Sequence, residues 1–421
     1  MLLNITVENF RSYNEAQTLS LIASENNGVN SVAVGKFEIR KSAIIYGANA
    51  SGKSNLIEVC LALVSILYHD INQPNQFALN SVYHPFFKNN KPTSISIDFM
   101  VKEDIYTYSI SYDNEKIYFE ELLDEDDRQI FSRYLADDKY NYYVPRPELI
   151  LSDEQLEFSD SLLRQIQAST SEKRPFLRQL VDNNCKKLEP ILLKFRNNLV
   201  VRLNPYGFVA KRFNPYGFIG KPLLAEQDLN YAINYFEQMN MNNDIVKSLN
   251  NIGATFKNLL VKNDILGGNV KKIISQYIVN GKECELDFVD DESDGTVKFY
   301  SYLALVDFII QNDGVLIIDE LETHFHPLLV EEIIKAIHRS KSKAQLIFTT
   351  HNPILLNESI FEHDQIYFAE KNDNQATKLY SLADFTDLDE INDRLQAQYM
   401  TGNFGAIPYM HSLDFRDKKN G

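Results

Sequence analysis

The chain has 421 residues, 44% of them apolar and 24% charged, and a formal net charge of −16. That length allows a large core and more than one lobe. The acidity excludes non-specific nucleic-acid binding over the whole surface, so nucleic acid would need a local basic patch or a partner protein. Cys60, Cys185 and Cys284 are odd in number and far apart, which excludes a disulfide framework and a CxxC metal site.

In chain order, Met1–Val7 reads as a strand. No charged-then-apolar leader opens the chain and no apolar run has the length of a membrane span, which predicts a cytoplasmic protein with no membrane partner. Residues 42–46 are a short apolar run that ends in Gly47-Ala48-Asn49-Ala50-Ser51-Gly52-Lys53-Ser54. A helix is predicted from Asn55 to Tyr68, with Leu56, Val59, Leu63 and Ile66 on one face. Residues 93–100 and 105–112 alternate with period two, and Ile117–Leu123 adds a strand, which predicts an antiparallel arm. Residues 1–124 are thus the first half of a nucleotide-binding domain.

Residues 125–283 read as a mostly helical insertion for dimerisation or for binding a partner or effector, with helices near 153–168, 173–198 and 225–262. Sustained heptads are not evident, so no long coiled coil is expected. The insertion holds a tandem repeat, Arg202-Leu203-Asn204-Pro205-Tyr206-Gly207-Phe208 and Arg212-Phe213-Asn214-Pro215-Tyr216-Gly217-Phe218. Two readings stand: a duplicated turn packing its own aromatics, or a recognition surface in which Arg202, Lys211, Arg212 and Lys221 alternate with aromatic rings. Residues 284–421 return to α/β patterning. Gly314–Glu320 is a buried strand ending in two carboxylates, a helix follows at 327–339, and Gln345–His351 is a second buried strand. Apolar strands without alternation suit a parallel sheet covered on both faces.

Gly47-x-x-x-x-Gly52-Lys53-Ser54 is a complete phosphate-binding loop between a strand and a helix. Its glycines let main-chain N–H groups turn inward around phosphates, and the helix presents its positive end to the same anion. Gly47, Asn49, Ser51, Gly52, Lys53, Ser54 and Asn55 are the candidate nucleotide contacts. Ser54 and Asp319 are the candidate magnesium ligands, Asp319 acting through water. Glu320 is the candidate general base, and His351 is placed to bond a γ-phosphate and sense hydrolysis. His324 and His326 read as a helix start ahead of Pro327 rather than as metal ligands. Ser293-Asp294-Gly295-Thr296 opens another helix and offers a second anion site, which two chains facing head to tail could close on one nucleotide. The acidic clusters Asp124–Asp127 and Asp287–Glu292 read as solvated loops.

Asn9-Phe10-Arg11-Ser12, the phosphate loop, Ser293-x-Gly295-Thr296, Asp319-Glu320 and Thr349-Thr350-His351 follow one order. That order resembles the ABC-type ATPases of the SMC/RecF group. More closely, with Phe325-His326-Pro327, Phe348-Thr349-Thr350-His351-Asn352 and Gly402–Pro408, it resembles the AAA-type ATP-binding proteins of bacterial abortive-infection and phage-defence systems, the AbiL, RloA and OLD-like set. The resemblance covers both ends of the chain and not the 125–283 insertion. It implies an α/β ABC-type P-loop head with a mixed sheet and an antiparallel arm, and ATP hydrolysis with Mg2+ at the interface of a homodimer or larger oligomer. It also implies Arg11 near the phosphates, Ser293 and Gly295 as the signature segment, and His351 as the switch histidine. Asp294 departs from the usual signature Leu-Ser-Gly-Gly-Gln, and Gln76 is the candidate Q-loop residue. Too little chain follows His351 for the nuclease domain of OLD-like members, so a separately encoded nuclease or toxin is the expected partner, with a nucleic acid or phage protein as a further candidate. The leading expectation is a regulatory ATPase in anti-phage defence. The alternatives are a RecF/SMC-like DNA-repair ATPase that binds DNA directly, and a self-contained nuclease with its site in the insertion.

Overall fold

A computed structural model describes residues 1–25, 28–68, 79–202, 225–251, 253–263, 271–323, 325–385 and 395–408. Gln76, His324 and the repeat from residue 203 onward lie outside the described residues.

The chain begins with β1 (Leu2–Glu8), β2 (Gln17–Ser20), β3 (Ser31–Val34), β4 (Phe37–Arg40) and β5 (Ser42–Tyr46), and the glycine-rich loop then leads into α1 (Lys53–Tyr68). A meander follows: β6 (Thr93–Val101), β7 (Asp104–Tyr112), β8 (Ile117–Asp124), β9 (Gln129–Ala136) and β10 (Lys139–Tyr143). Next come the helices α2 (Asp153–Leu156), α3 (Ser159–Ser169), α4 (Phe176–Asp182) and α5 (Glu189–Asn197), and the strand β11 (Leu199–Arg202). Then follow α6 (Ala225–Met239), α7 (Asn242–Asn251), β12 (Asn258–Asn263), β13 (Lys271–Val279), β14 (Lys282–Asp287) and α8 (Asp294–Gln311). The last part holds β15 (Val315–Ile318), α9 (Pro327–Arg339), β16 (Gln345–Thr349), β17 (Ile366–Lys371), β18 (Thr377–Ser381) and α10 (Leu395–Met400).

The central sheet runs β11-β15-β16-β5-β17-β18. Its first five strands are parallel and β18 is antiparallel to β17. Alternate residues of these strands feed opposite cores. Ala43, Ile45, Val315, Ile317 and Ile347 face α1, α5 and the arm, while Ile44, Tyr46, Leu316, Ile318, Leu346 and Phe348 face α6, α8 and α9. Covered on both faces, the strands need no polar side, which is why they read as continuous apolar runs.

The arm is an antiparallel sheet in the order β10-β9-β8-β7-β6-β1-β2. Gln345 ties it to the central sheet: its Oε1 accepts the Leu2 N–H at 2.6 Å and its Nε2 donates to the Leu2 carbonyl at 2.8 Å.

The region expected to be a mostly helical insertion differs in three places. The arm continues past residue 125 through β9 and β10 to Tyr143. Its alternation is masked in the sequence because charged residues point inward. Arg133 is fully buried, its guanidinium lies 4.0 Å from the Tyr140 ring centroid, and it donates to the carbonyls of Arg174 and Ser171. Glu120, also fully buried, accepts from Tyr108 Oη at 3.0 Å and from the Phe176 and Leu177 N–H groups that open α4. Second, β11 joins the central sheet beside β15. Third, residues 258–263 form β12 of a small β12-β13-β14 sheet rather than the end of a helix. The helix stops ahead of it, near Gly253, whose φ of 104° an α-helix does not contain.

Candidate nucleotide site

β5 is buried along its whole length and delivers the chain into the glycine-rich loop at the carboxyl edge of the central sheet. Two glycines there are dictated by close approach. A Cβ on Gly47 would meet the Ala369 carbonyl oxygen of β17 and Ser51 Oγ. At Gly52, with φ 110°, it would meet Thr377 Oγ1 and, at 2.6 Å, Ser12 Oγ. Gly52→Ala should therefore cost about 1–3 kcal/mol of stability and weaken nucleotide binding, as read by urea unfolding and by nucleotide titration.

The same neighbours lock the loop from outside. Thr377 Oγ1 donates to the Ser51 carbonyl at 2.7 Å and accepts from Ser12 Oγ at 2.7 Å, Asn55 Nδ2 donates to Ser12 Oγ at 2.7 Å, and Tyr13 Oη donates to the Gly52 carbonyl at 3.2 Å. The loop is thus clamped between the Asn9–Tyr13 turn and β18. Asn49 and Ala50 are exposed, whereas Ser51, Gly52 and Lys53 are buried. Lys53 Nζ donates to the Gly47 and Ala48 carbonyls at 2.8 and 3.0 Å. Burial pulls its pKa down to about 8, opposed by the charges of Asp319, Glu320 and Glu322.

Those carboxylates come from the turn after β15. Asp319 is buried; burial raises its carboxyl pKa, offset by hydrogen bonds from Thr349 and Ser54. Thr349 Oγ1 donates to Asp319 Oδ1 at 2.6 Å and accepts the Glu320 N–H at 2.8 Å. Glu320 has φ 50°, an uncommon conformation for a residue with a side chain. His351, at the end of β16, has Nε2 3.9 Å from Glu320 Oε1. Its main-chain N–H donates to Glu322 Oε1 at 2.6 Å. Burial and then the Lys53 charge hold the imidazole below its ordinary pKa, against the pull of Glu322, Glu320 and a hydrogen bond to the Gly47 main chain.

Gly47, Lys53, Ser54, Asp319, Glu320 and His351 therefore converge on one place. Arg11 stands at its margin, at φ 50°, with its guanidinium paired to the Glu58 carboxylate of α1. Glu58 is buried, and burial raises its pKa to about 7, opposed by Arg11 and reinforced by Asp319. Ser293 lies elsewhere, exposed at the N-cap of α8, where its Oγ accepts the Thr296 N–H at 3.2 Å; Gly295 follows in the first turn. In the same helix Lys298 Nζ donates to the Thr323 carbonyl at 2.6 Å, linking α8 to the turn that carries Glu320.

A magnesium ion would find hard oxygen donors here, since the Ser54 hydroxyl is hydrogen-bonded to the buried Asp319 carboxyl. The three carboxylates facing Lys53 leave negative charge that a divalent ion would offset.

Residues 42–357, well over half the chain, match the family model described as "AAA domain, putative AbiEii toxin, Type IV TA system". The chain belongs to this AAA-domain family. Its fold is α/β, a P-loop head with a mixed central sheet and an antiparallel arm. A stretch of 79 residues is 37% identical to the Septu protein PtuA of Bacillus thuringiensis, covering 18% of this chain and 17% of that protein. The match thus spans about a sixth of that relative's length. Among solved structures, the SMC head bound to the C-winged helix domain of ScpA is similar with a TM-score of 0.43 and 14% identity, over 90% of this chain and 97% of that one. The SMC head domain from Thermotoga maritima gives a TM-score of 0.41 and 12% identity, over 90% and 98%.

Thr377, Glu58 and Glu322 have no role in the sequence reading, and Ser12 and Thr349 stand there only as members of motif strings. Glu322 had a signal, as a third carboxylate two residues past Glu320, and Thr349 stood in the Thr-Thr-His string. Thr377 had none, because it reaches Ser12 from 365 residues away.

Proposed function

We propose that this AAA-domain protein binds and hydrolyses ATP at the Gly47–Ser54 loop, and that its nucleotide state controls a separately encoded nuclease or toxin in anti-phage defence. The observation that carries the reading is the convergence of Glu320 and His351 on the Lys53–Ser54–Asp319 cluster. In this reading the loop N–H groups and Lys53 hold the β- and γ-phosphates. Ser54 and Asp319 would hold magnesium, which when bound neutralises charge developing on the phosphate oxygens. Glu320 orients and deprotonates the attacking water, and His351 bonds the γ-phosphate. Ser293–Gly295 at the exposed start of α8 would close the site of a second copy, making a homodimer the working unit. Defence is supported by the family description and by the stretch shared with Septu PtuA.

The experiment is ATP binding, phosphate release and native mass, each with and without ATP and Mg2+. Binding, turnover and a doubling of mass are expected. A chain that neither binds ATP nor changes its mass with it sinks the reading.

A further inference from the structure

The turn after β15 carries a carboxylate that the mechanism above leaves unused. Glu322 Oε1 accepts the His351 N–H at 2.6 Å. Its Oε2 is buried with no hydrogen-bond partner among the described residues. One oxygen suffices to hold a main-chain N–H. A second carboxylate oxygen, desolvated and unpaired, is costly, and such atoms are rare in folded proteins outside functional sites. Capping does not explain it, because His326 caps α9: its Nδ1 accepts the Leu328 N–H at 3.3 Å. Groups whose charges respond to Glu322 are Lys53, at the phosphate loop, His351 and, after burial, Tyr46 at the end of β5.

The turn therefore has two separate clamps. Thr349 fixes Glu320 through the Glu320 N–H. Glu322 fixes the main chain of His351. Neither clamp uses the other's atoms, and the phosphate loop is held by a third set, Ser12, Thr377 and Asn55.

We propose that Glu322 is a positioning residue of the ATPase site, holding His351 beside Glu320 and acting on turnover through His351. The proposal rests on the ATPase reading. Losing Glu322 should disturb His351 while the phosphate loop and Glu320 keep their own supports. Nucleotide binding then survives and turnover does not.

The test uses the full chain carrying Glu322→Ala, His351→Ala or both, with kcat, KM, binding of a fluorescent ATP analogue, and thermal unfolding. Glu322→Ala should lower kcat roughly 10- to 100-fold with KM and analogue affinity little changed. In the His351→Ala background the same substitution should have no further effect, because the two residues act as one unit. Independent, multiplicative losses overturn the proposal. So does kcat at the parent level in Glu322→Ala, or affinity falling as far as kcat. Glu322→Gln, which removes the charge and keeps an acceptor for the His351 N–H, should hold kcat near the parent level, and a loss as large as that of Glu322→Ala overturns the proposal; if the alanine variant does not fold, Glu322→Met, which has no such acceptor, is run through the same cycle. Glu320→Gln is the reference. A parent chain that does not hydrolyse ATP fails the ATPase reading, and Glu320→Gln turning over at the parent rate removes Glu320 as its general base; if Glu320→Gln is slow while Glu322→Ala is normal, only this proposal fails.

Discussion

Glu320→Gln should bind ATP as the parent chain does and hydrolyse it roughly 10²- to 10⁴-fold more slowly. The substitution removes a charge and little else. Glu320 sits at φ 50°, and its N–H is held by Thr349 Oγ1 at 2.8 Å. Both are main-chain features that glutamine inherits. The hydrogen bond from Thr323 Oγ1 to Glu320 Oε2 at 3.3 Å can be accepted equally by an amide oxygen. What the amide cannot do is take a proton from water. ATP that is bound and not hydrolysed should hold the closed dimer, so the variant should also show the dimer mass under ATP concentrations at which the parent turns over. Phosphate release and native mass check the two halves. Turnover equal to the parent would falsify the general-base role of Glu320 and leave the phosphate loop's role standing.

The part of this site legible in the sequence is the part built from contiguous elements. A buried strand, a loop with glycines at both ends and an apolar-striped helix place Lys53 and Ser54 with no long-range information. Likewise β15 and β16 are apolar because both faces are covered, and the residues at their carboxyl ends, Asp319, Glu320 and His351, must lie at the edge where β5 ends. Parallel register delivers them: Ile318 pairs with Phe348, and Phe348 with Ile44. The illegible part depends on pairings across hundreds of residues. Nothing local in Thr377 says that β18 closes over Gly52, and nothing in Leu199–Arg202 says that it becomes an edge of the central sheet. The resemblance implies Arg11 near the phosphates, but nothing local in Glu58, a polar position on the apolar-striped α1, says that it pairs with Arg11. The arm strand β9 is hidden in the sequence because Arg133 faces inward, inverting the polarity pattern from which strands are read. β12 is not legible as a strand because its six residues of mixed apolar character carry no period of their own.

Between pH 4.5 and 7, the parent chain should lose about 3 kcal/mol more stability than a Glu58→Gln variant. Burial raises the Glu58 carboxyl from 4.5 to about 7 despite Arg11 beside it. In that window the folded chain keeps a proton that the unfolded chain has released. Stability is therefore greatest at the acid end and falls as pH rises through the window. Other groups tilt the curve the opposite way. Burial lowers the His338 imidazole to about 4, so the folded state binds fewer protons there below pH 6.5 and gains stability as pH rises through that range. The raw slope of the parent is thus a sum, and the parent-minus-variant difference isolates Glu58. Urea unfolding at pH 5, 6, 7 and 8 at fixed ionic strength measures it, and equal slopes for the two chains sink the prediction. The variant also bears on Arg11, whose side chain is 26% exposed and can be solvated once the carboxylate is gone. If Arg11 serves the phosphates, it must give up Glu58 to do so. Removing that competing anion should then leave ATP affinity at pH 8 equal to or above that of the parent. A weaker affinity would mean that the ionised Glu58 is what aims Arg11 at the site.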